Sequence, residues 1–565
     1  MENNSFKISL VRLVMLLFVL VAANSCTESF YNVEVEREKS EAIIRTKVSI
    51  DISLAGSVFE VVDEHAGIFN EWGARIDLIQ GQDVSYSGFS DISTAYNRDF
   101  FTYDPVLGKL TFKGETGRWN IRYYQDFNYI WVYPSDALPC LYIMGNGKVS
   151  ASSWVPEVGS VQSGFYNYNV PYVGVAPRIS ETAYQSTLYL SDDNEWRDVR
   201  LEIYSDNGWS KNGLLLTPQS LCGPEASMFT VLQAGTETCN LYITSSFVAG
   251  YYKFIIFPSE ESPKVYIEKI DESDYNVPVL DGKLVFHSYS SYVSEDSQLF
   301  IYDFATDNLV NISENWTNVS HAMNGHFSPD GQSIVFMGIS SEDSWDIFEY
   351  DLLDLQPVNL TTSSVNTRDE DPKYSNDGTK VIFKRNGNLA VLNLSDMTID
   401  VLTNNGTDTE YGMPYYSTDD TKALFGFRNT SGDGLGVWDF NSSSASILYD
   451  KVSISEYYPI TIDDDAFYFA SNYSSSNLCD QVYKGFWSGE EAIPLAFNIP
   501  TSDYSDPCYV SPSWTIFSST AQSSLSGSYD LYIGNNKSGV TYSLSYYNNG
   551  INTVLNELGA DYYAE

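Results

Sequence analysis

Short apolar runs separated by polar turns extend along the chain, and in its second half they recur at a regular interval. Six segments share one pattern, in which a turn containing Asp or Gly is followed by a short apolar strand. The segments are Asn276-VPVLDGKLVF, Gly325-HFSPDGQSIVF, Pro372-KYSNDGTKVIF, Pro414-YYSTDDTKALF, Pro459-ITIDDDAFYF and Pro507-CYVSPSWTIF. Their starts are 49, 47, 42, 45 and 48 residues apart. The Asp-Gly pairs favour tight hairpins, because Gly accepts a positive φ without steric cost.

Repeats of this length with about four strands each are typical of β-propeller blades. Six units therefore predict a six-bladed propeller over residues 276–565. One blade cannot bury both of its faces, so the blades must pack around a common axis. The tail that includes Asn556–Asp561 extends past the sixth unit. We expect part of this tail to close the ring by pairing with blade one.

The six units resemble the WD40-like repeats of TolB-type propellers. The Pro-x-aromatic-Ser-Pro-Asp-Gly pattern of that family is nearly complete at Gly325–Gly331, where Gly replaces Pro, and close at Pro372–Gly378. The pattern decays in the last two units. The resemblance covers about half of the chain and implies a TolB-like fold, but it implies no single activity, because propellers serve many functions.

The first half of the chain shows the alternation of apolar and polar residues that is typical of half-buried antiparallel strands. Two segments end alike: Lys109-LTF, Gly117-RWNI and Tyr129-IWVY in one, and Asn240-LYI, Gly250-YYKF and Lys264-VYI in the other. The pattern predicts two immunoglobulin-like β-sandwich modules, residues 46–136 and 137–270. The predicted fold class is thus all-β throughout.

The N-terminus has the features of an export signal. Lys7 and Arg12 precede an eleven-residue apolar run, Leu13–Ala23, which is too short to span a bilayer stably. Cys26 follows, as in bacterial lipoprotein signals, and the resemblance implies a signal peptide over 1–25, lipidation of Cys26 and a tether over 26–45. The predicted location is the outer membrane, lipid-anchored and facing the cell surface. An ordinary secretory signal with an incidental cysteine is the alternative.

The charge balance restricts the partners. The chain has 74 acidic and 31 basic residues and a net charge of −43, and such a field repels phosphate backbones. We therefore expect no nucleic-acid binding and no affinity for sulfated or uronate-rich polymers. Neutral sugars and cationic partners are compatible with this charge, and the charge also serves simple solubility.

The second module resembles the starch-binding outer-membrane lipoproteins of the SusE/SusF type. Its opening strand Leu141–Met144 runs into a Gly-rich turn, and tryptophans follow at Trp154, Trp196 and Trp209. The resemblance implies that these rings stack against a neutral glycan, with Arg200 or Arg197 donating hydrogen bonds to its hydroxyls. The alternative is that one or more of the tryptophans belongs to the sandwich core.

No catalytic or metal-binding motif is evident in the sequence. The four histidines form no H-E-x-x-H arrangement, no G-x-S-x-G elbow occurs, and the cysteines form no C-x-x-C pair. Cys222–Cys239 and Cys479–Cys508 are candidate disulfides that the sequence does not establish. For Asp369–Asp371 we favour a solvated turn over a ligand contact, and for His321 and His326 packing or solvation over a place in the channel. We therefore expect that the protein is not an enzyme and that it binds neither a cofactor nor a metal.

Three functions remain at this stage. The leading one is a surface lipoprotein that binds a neutral glycan within a glycan-uptake system, with an outer-membrane transport complex as a further partner. The second is an envelope protein-interaction scaffold that uses the propeller. The third is a glycosidase or lyase with propeller carboxylates as its catalytic groups.

Overall fold

The computed structural model describes residues 51–564 with internal gaps, and the described part is almost entirely β-structure. The gaps are 62–70, 106, 126–127, 135–139, 147–148, 151–173, 180–181, 191–199, 205–213, 234–238, 259–262, 341–343, 363–366, 407, 431, 452–453, 473–478, 500 and 522–527. Helical structure among the described residues is limited to α1 (Ile92–Ala95) and to 3-10 turns at Pro218–Ser220, Ala226–Met228, Glu272–Tyr275, Tyr292–Ser294 and Leu544–Tyr546. The all-β prediction is confirmed.

The first module consists of three small sheets around an aromatic core. Its strands are β1 (Ser53–Leu54), β2 (Ser57–Val58), β3 (Glu60–Val61), β4 (Glu71–Leu78), β5 (Asp83–Val84), β6 (Tyr86–Ser87), β7 (Phe101–Asp104), β8 (Lys109–Phe112), β9 (Gly117–Tyr124) and β10 (Tyr129–Pro134). The sheets have the orders β2-β1-β6, β10-β9-β4-β3 and β5-β8-β7. Trp119 is fully buried, and Phe100 and Phe112 stand edge-on to its ring.

The second module is a sandwich of two five-stranded sheets. Its strands are β11 (Cys140–Asn146), β12 (Val149–Ser150), β13 (Gly174–Pro177), β14 (Tyr184–Leu190), β15 (Arg200–Tyr204), β16 (Leu221–Cys222), β17 (Phe229–Gln233), β18 (Cys239–Ile243), β19 (Gly250–Phe257) and β20 (Lys264–Ile270). The orders are β13-β11-β15-β18-β17 and β12-β14-β19-β20-β16. Leu188, Tyr252, Phe254 and Ile267 are buried in its core. Immunoglobulin-like topology stays a prediction for both modules.

Six four-stranded sheets follow, one for each predicted blade. Blades two to four contain β24 (Val319–Phe327), β25 (Ser333–Ser340), β26 (Trp345–Asp351), β27 (Pro357–Asn359); β28 (Asp369–Tyr374), β29 (Lys380–Arg385), β30 (Asn388–Asn393), β31 (Thr398–Val401); and β32 (Thr409–Tyr416), β33 (Lys422–Asn429), β34 (Gly432–Asp439), β35 (Ser444–Tyr449). Blades five and six contain β36 (Glu456–Thr461), β37 (Ala466–Ser471), β38 (Gln481–Phe486), β39 (Ile493–Pro494); and β40 (Tyr504–Ser511), β41 (Trp514–Ser519), β42 (Asp530–Asn535), β43 (Thr541–Ser543). In each of these five sheets sequential strands are neighbours, and the first strand is the innermost.

Blade one is completed by the C-terminus, as we expected. Its strands are β21 (Lys283–Tyr289), β22 (Gln298–Asp303), β23 (Asn308–Asn311) and β44 (Asn556–Tyr563), in the order β23-β22-β21-β44. The C-terminal strand β44 therefore takes the innermost place, and the residues before the first Asp-Gly turn do not. Pairing of the chain's last strand with its first blade leaves the propeller without an open seam.

The N-terminal modules pack on the propeller beside blades five and six. Ala183 and Ile255 share a hydrophobic cluster with Ile493 of blade five. Lys253 is almost fully buried, pairs with Glu268 at 2.9 Å and donates from Nζ to a backbone carbonyl of the β42–β43 connection at 3.4 Å. These contacts join the second module directly to the propeller.

Candidate binding site in the propeller channel

Each innermost strand carries one residue with a positive φ at the same place in the blade. The residues are Asn324, Asp371, Met413, Tyr458, Asp506 and Gly559, with φ from 46° to 60°. Four of them precede the proline that begins a repeat unit, at positions 372, 414, 459 and 507. We call these six residues the inner ring.

The inner ring coincides with a β-bulge in every blade. The register between the innermost strand and its neighbour shifts at this point in all six sheets, for example between Glu370 and Lys373 in β28 and between Ser505 and Cys508 in β40. A bulge redirects a side chain locally, and positive φ is costly for residues other than Gly. Strained backbone of this kind clusters at active sites and ligand clamps.

The innermost strands enclose a cavity of about 200 Å³ on the propeller axis. We call it the channel cavity, and all six blades contribute to its lining. Its polar and aromatic lining residues are Asn324, Asp371, Lys373, Tyr415, Tyr458, Thr461, Asp506, Cys508, Tyr509, Asp561 and Tyr562. Two carboxyls of the inner ring, Asp371 and Asp506, therefore share one enclosed space with an ammonium group and several phenols.

Burial raises the pKa of both inner-ring carboxyls. The pKa of Asp506 rises to about 6, against the opposing effects of a hydrogen bond from the Gly559 amide and of the nearby Lys373. The pKa of Asp371 also rises, although Asn324 Nδ2 donates to its Oδ1 at 2.8 Å. Both carboxyls are thus poised to gain from a new hydrogen-bond donor inside the cavity.

A second layer of side chains comes from the residues two positions after the inner ring on each innermost strand. His326 Nε2 is 3.8 Å from Asp561 Oδ1, and the other oxygen of Asp561 accepts from the Phe327 amide at 2.8 Å. Burial lowers the pKa of His326 to about 4, so this imidazole is neutral at pH 7. Burial also raises the pKa of the Cys508 thiol, which disfavours the thiolate that a nucleophile would need.

The expectation for His321 and His326 and the expectation for Asp369–Asp371 have different outcomes. His321 is 1% exposed, and the His326 side chain is 12% exposed with its ring edge-on to Tyr415, so the packed interpretation is confirmed for both. The solvated turn at Asp369–Asp371 is wrong, because these residues form the start of β28. Asp369 is fully buried in a two-bond ion pair with Arg385.

The residues that we predicted to bind glycan or lipid are not tested by the structure. Trp154, Trp196, Trp209 and Cys26 lie outside the described residues. Arg200 begins β15, and its side chain is outside the described part as well. Their roles stay predictions.

Neither candidate disulfide forms. Cys140, Cys222, Cys479 and Cys508 are free thiols. Cys222 lies in β16 and Cys239 in β18, which belong to opposite sheets of the sandwich. Cys508 is in the innermost strand of blade six, whereas Cys479 precedes the third strand of blade five.

The described residues contain neither a metal cluster nor a membrane-spanning helix. Within that part of the chain, no three His, Cys, Asp or Glu side chains are placed to hold a metal ion. No helix among the same residues is long and apolar enough to cross a membrane.

The inner ring is the site that sequence reasoning missed. The residue before each repeated proline occupies one fixed position of the aligned units, so the alignment already placed Asp371, Met413, Tyr458 and Asp506 at equivalent points. What the sequence did not reveal was the positive φ, which turns these residues toward the cavity.

Comparison with known proteins shows similarity of fold. No protein-family model and no curated protein matches the sequence. Among solved structures, TolB from Acinetobacter baumannii is 15% identical, with 59% of this chain and 81% of that chain covered and a TM-score of 0.40. TolB from Agrobacterium tumefaciens is 14% identical (46% and 88% covered, TM-score 0.36), and an oligogalacturonate lyase in complex with manganese is 15% identical (47% and 74%, TM-score 0.31). The propeller assignment itself rests on the six sheets of this chain.

Proposed function

We propose that this chain is a surface lipoprotein that binds a neutral glycan without cleaving it, and that the channel cavity of the propeller holds the sugar. The observation that carries the proposal is the convergence of Asp371, Asp506, Lys373 and Tyr458 on one enclosed space. Sugar hydroxyls donate to carboxylates and accept from ammonium groups, and aromatic rings pack against sugar C–H groups. The cavity offers all three partners.

The cavity size favours one sugar unit. Pockets for drug-sized ligands span about 300–1,000 Å³, and this cavity is smaller, at about 200 Å³. A polymer would therefore present a chain end to the channel. Binding of a neutral ligand also agrees with the net charge of −43, which repels polyanions.

The two inner-ring carboxyls make hydrolysis the second candidate. A glycosidase needs one ionised carboxylate and one protonated acid, so the pKa values of its pair are pushed apart. Burial raises the pKa values of both Asp371 and Asp506, a direction that a binding pair and a catalytic pair share. Release of reducing sugar therefore distinguishes the two functions.

The N-terminal half has two roles in this proposal. A lipid on Cys26 would hold the protein at the outer membrane, and the second module would offer a separate glycan site at Trp154, Trp196, Trp209 and Arg200. Delivery of the bound glycan to an outer-membrane transport complex would complete its role in glycan uptake. These elements rest on the sequence resemblances alone.

The test is binding of the soluble ectodomain to a panel of neutral polysaccharides and oligosaccharides, by affinity electrophoresis and calorimetry. Asp371→Asn and Asp506→Asn should each weaken binding of the best ligand about tenfold to a hundredfold, because each removes a charged hydrogen-bond acceptor. Asp400→Asn, an exposed position on β31, is the matched control and should bind as the wild type does.

Four outcomes would contradict the proposal. Wild-type affinity of both cavity variants would remove the channel as the site, and loss of binding in the Trp154→Ala/Trp209→Ala variant alone would move the site to the second module. Absence of binding to every glycan, with a stoichiometric protein partner recovered instead, would support the scaffold function. Release of reducing sugar that Asp506→Asn abolishes would support the hydrolase.

A further inference from the structure

A cluster of aromatic and charged side chains lies beside the channel cavity, at the end of the propeller where the innermost strands begin. We call it the rim cluster, and its members are Tyr292, Trp345, Arg368, Glu370 and Lys384. Tyr292 follows β21, Trp345 begins β26, Arg368 precedes β28, and Lys384 lies near the end of β29. Blades one, two and three thus meet at this cluster.

The aromatic part of the rim cluster is held in a fixed arrangement. The rings of Tyr292 and Trp345 are nearly parallel, with an interplanar angle of 8° and centroids 6.4 Å apart. His321 stands edge-on to both, at 5.4 Å and 5.2 Å between centroids. The Ser297 amide donates to Nδ1 of His321, so its Nε2 carries the proton and its ring orientation is fixed. Tyr292 remains 49% exposed.

The charged part of the rim cluster is a continuous network. Arg368 lies 5.1 Å from the centre of the Trp345 ring, donates to the Tyr292 hydroxyl at 3.0 Å and pairs with Glu370 at 2.7 Å. Lys384 pairs with Glu370 at 3.2 Å and with Glu410 at 3.3 Å. The guanidinium is therefore held beside two aromatic rings, while its side chain is still about half exposed.

The rim cluster and the channel cavity are adjacent. A Cβ placed on Gly412 would lie 3.0 Å from Lys384 Cδ and 3.9 Å from an Asp371 carboxylate oxygen, so both side chains flank the same glycine. Tyr292 is also close enough to Tyr458 of the inner ring to act on its phenol electrostatically. The rim cluster therefore flanks residues that line the cavity.

We propose that the rim cluster is a second sugar subsite, which binds the unit that follows the one in the channel cavity. The exposed Tyr292 ring offers a surface for sugar C–H groups, and Arg368 and Lys384 offer donors to hydroxyl oxygens. Because the cavity holds only one unit, the rim sets the preference for longer chains and the direction in which a chain leaves the channel. This inference rests on the proposed function.

The experiment measures affinity against chain length for a series of one to four sugar units, prepared from the neutral glycan that the wild type binds best. Wild-type affinity should rise at least tenfold from one unit to two or three. Tyr292→Ala and Arg368→Gln should leave the affinity for one unit within twofold and remove most of the gain with length. Tyr546→Ala is the matched control, because Tyr546 is 50% exposed and lies beside the outermost strand of blade six.

The other outcomes distinguish failure of the rim subsite from failure of the proposed function. A wild-type length dependence in both rim variants would overturn the rim subsite and leave the cavity intact, and so would a wild type whose affinity does not rise with length. An equal loss of affinity for one unit and for longer chains would show that the rim residues act on the sugar in the cavity. That result would also overturn the rim subsite. Failure of the proposed function would appear as unchanged binding in Asp371→Asn and Asp506→Asn.

Discussion

At the scale of residues, the innermost strands place costly backbone at the residues that line the channel cavity. Positive φ at a non-glycine residue costs about 1–3 kcal/mol, yet five of the six inner-ring positions carry Asn, Asp, Met or Tyr. Gly559, in β44, has the residue that this backbone favours most, and Asn and Asp adopt it more readily than other side chains do. Stability alone would therefore not select Met413 and Tyr458, and the proposed ligand site would account for these two.

The buried carboxyl group of Glu456 is a further feature that lowers the stability of the fold. Glu456 is fully buried at the start of β36, and no described side chain donates a hydrogen bond to its carboxyl oxygens. The equivalent residue of blade three, Asp369, faces Arg385 on the adjacent strand, whereas Glu456 faces Ser471. Burial raises the pKa of Glu456 to about 7 from its ordinary 4.5.

Because the pKa of Glu456 is raised, the folded protein loses stability as the pH rises. Between pH 4.5 and about 7 the folded protein holds a proton on Glu456 that the unfolded chain has released, so stability falls as the pH rises through that window. We expect Glu456→Gln to raise the free energy of unfolding by about 1–3 kcal/mol at pH 8 and to change little at pH 4.5. Urea denaturation at both pH values checks this.

The equivalent substitution in blade three supplies the control. Asp369→Asn removes the partner of a buried guanidinium and should lower stability at pH 8. A Glu456→Gln variant that is equally destabilised at pH 4.5 and pH 8 would show that the charge of Glu456 is not what costs stability.

At the scale of elements, the repeat placed most of the propeller correctly. Strands follow the turns of all six units, because Asp and Gly fix a tight hairpin and the β-branched and aromatic residues after it favour extended backbone. The innermost strand of blade one was not visible in the first unit, since pairing between β21 and β44 joins residues more than 260 positions apart. The bulges were also missed, because register is set by contacts between strands.

The ring closure carries a prediction of its own. Removal of residues 556–565 leaves β21 with an unpaired edge and takes away Glu557, a fully buried residue that accepts from Ser288 Oγ at 2.8 Å. We expect the truncated ectodomain to lose its cooperative thermal unfolding transition and to aggregate, as circular dichroism and gel filtration would show. A chain that ends at Tyr563 keeps β44 and should melt as the full ectodomain does. A cooperative, monomeric protein without residues 556–565 would refute the closure.

At the scale of the whole molecule, the N-terminal half is joined to the propeller through blades five and six. The contacts to the second module involve Lys253 and Ile255 on β19, Ile493 on β39 and the connection between β42 and β43. Sequence reasoning predicted strands in both modules but not this docking, because a buried ion pair such as Lys253–Glu268 looks like two surface charges in a sequence.

The most direct test of glycan binding in the propeller is a crystal structure of the ectodomain soaked with the neutral oligosaccharide that it binds best. We expect one sugar unit between Asp371 and Asp506, with its hydroxyls within hydrogen-bond distance of both carboxyls and of Lys373, and the bond to the next unit intact. An empty channel cavity, with sugar bound only on the second module or nowhere, would contradict the proposed function.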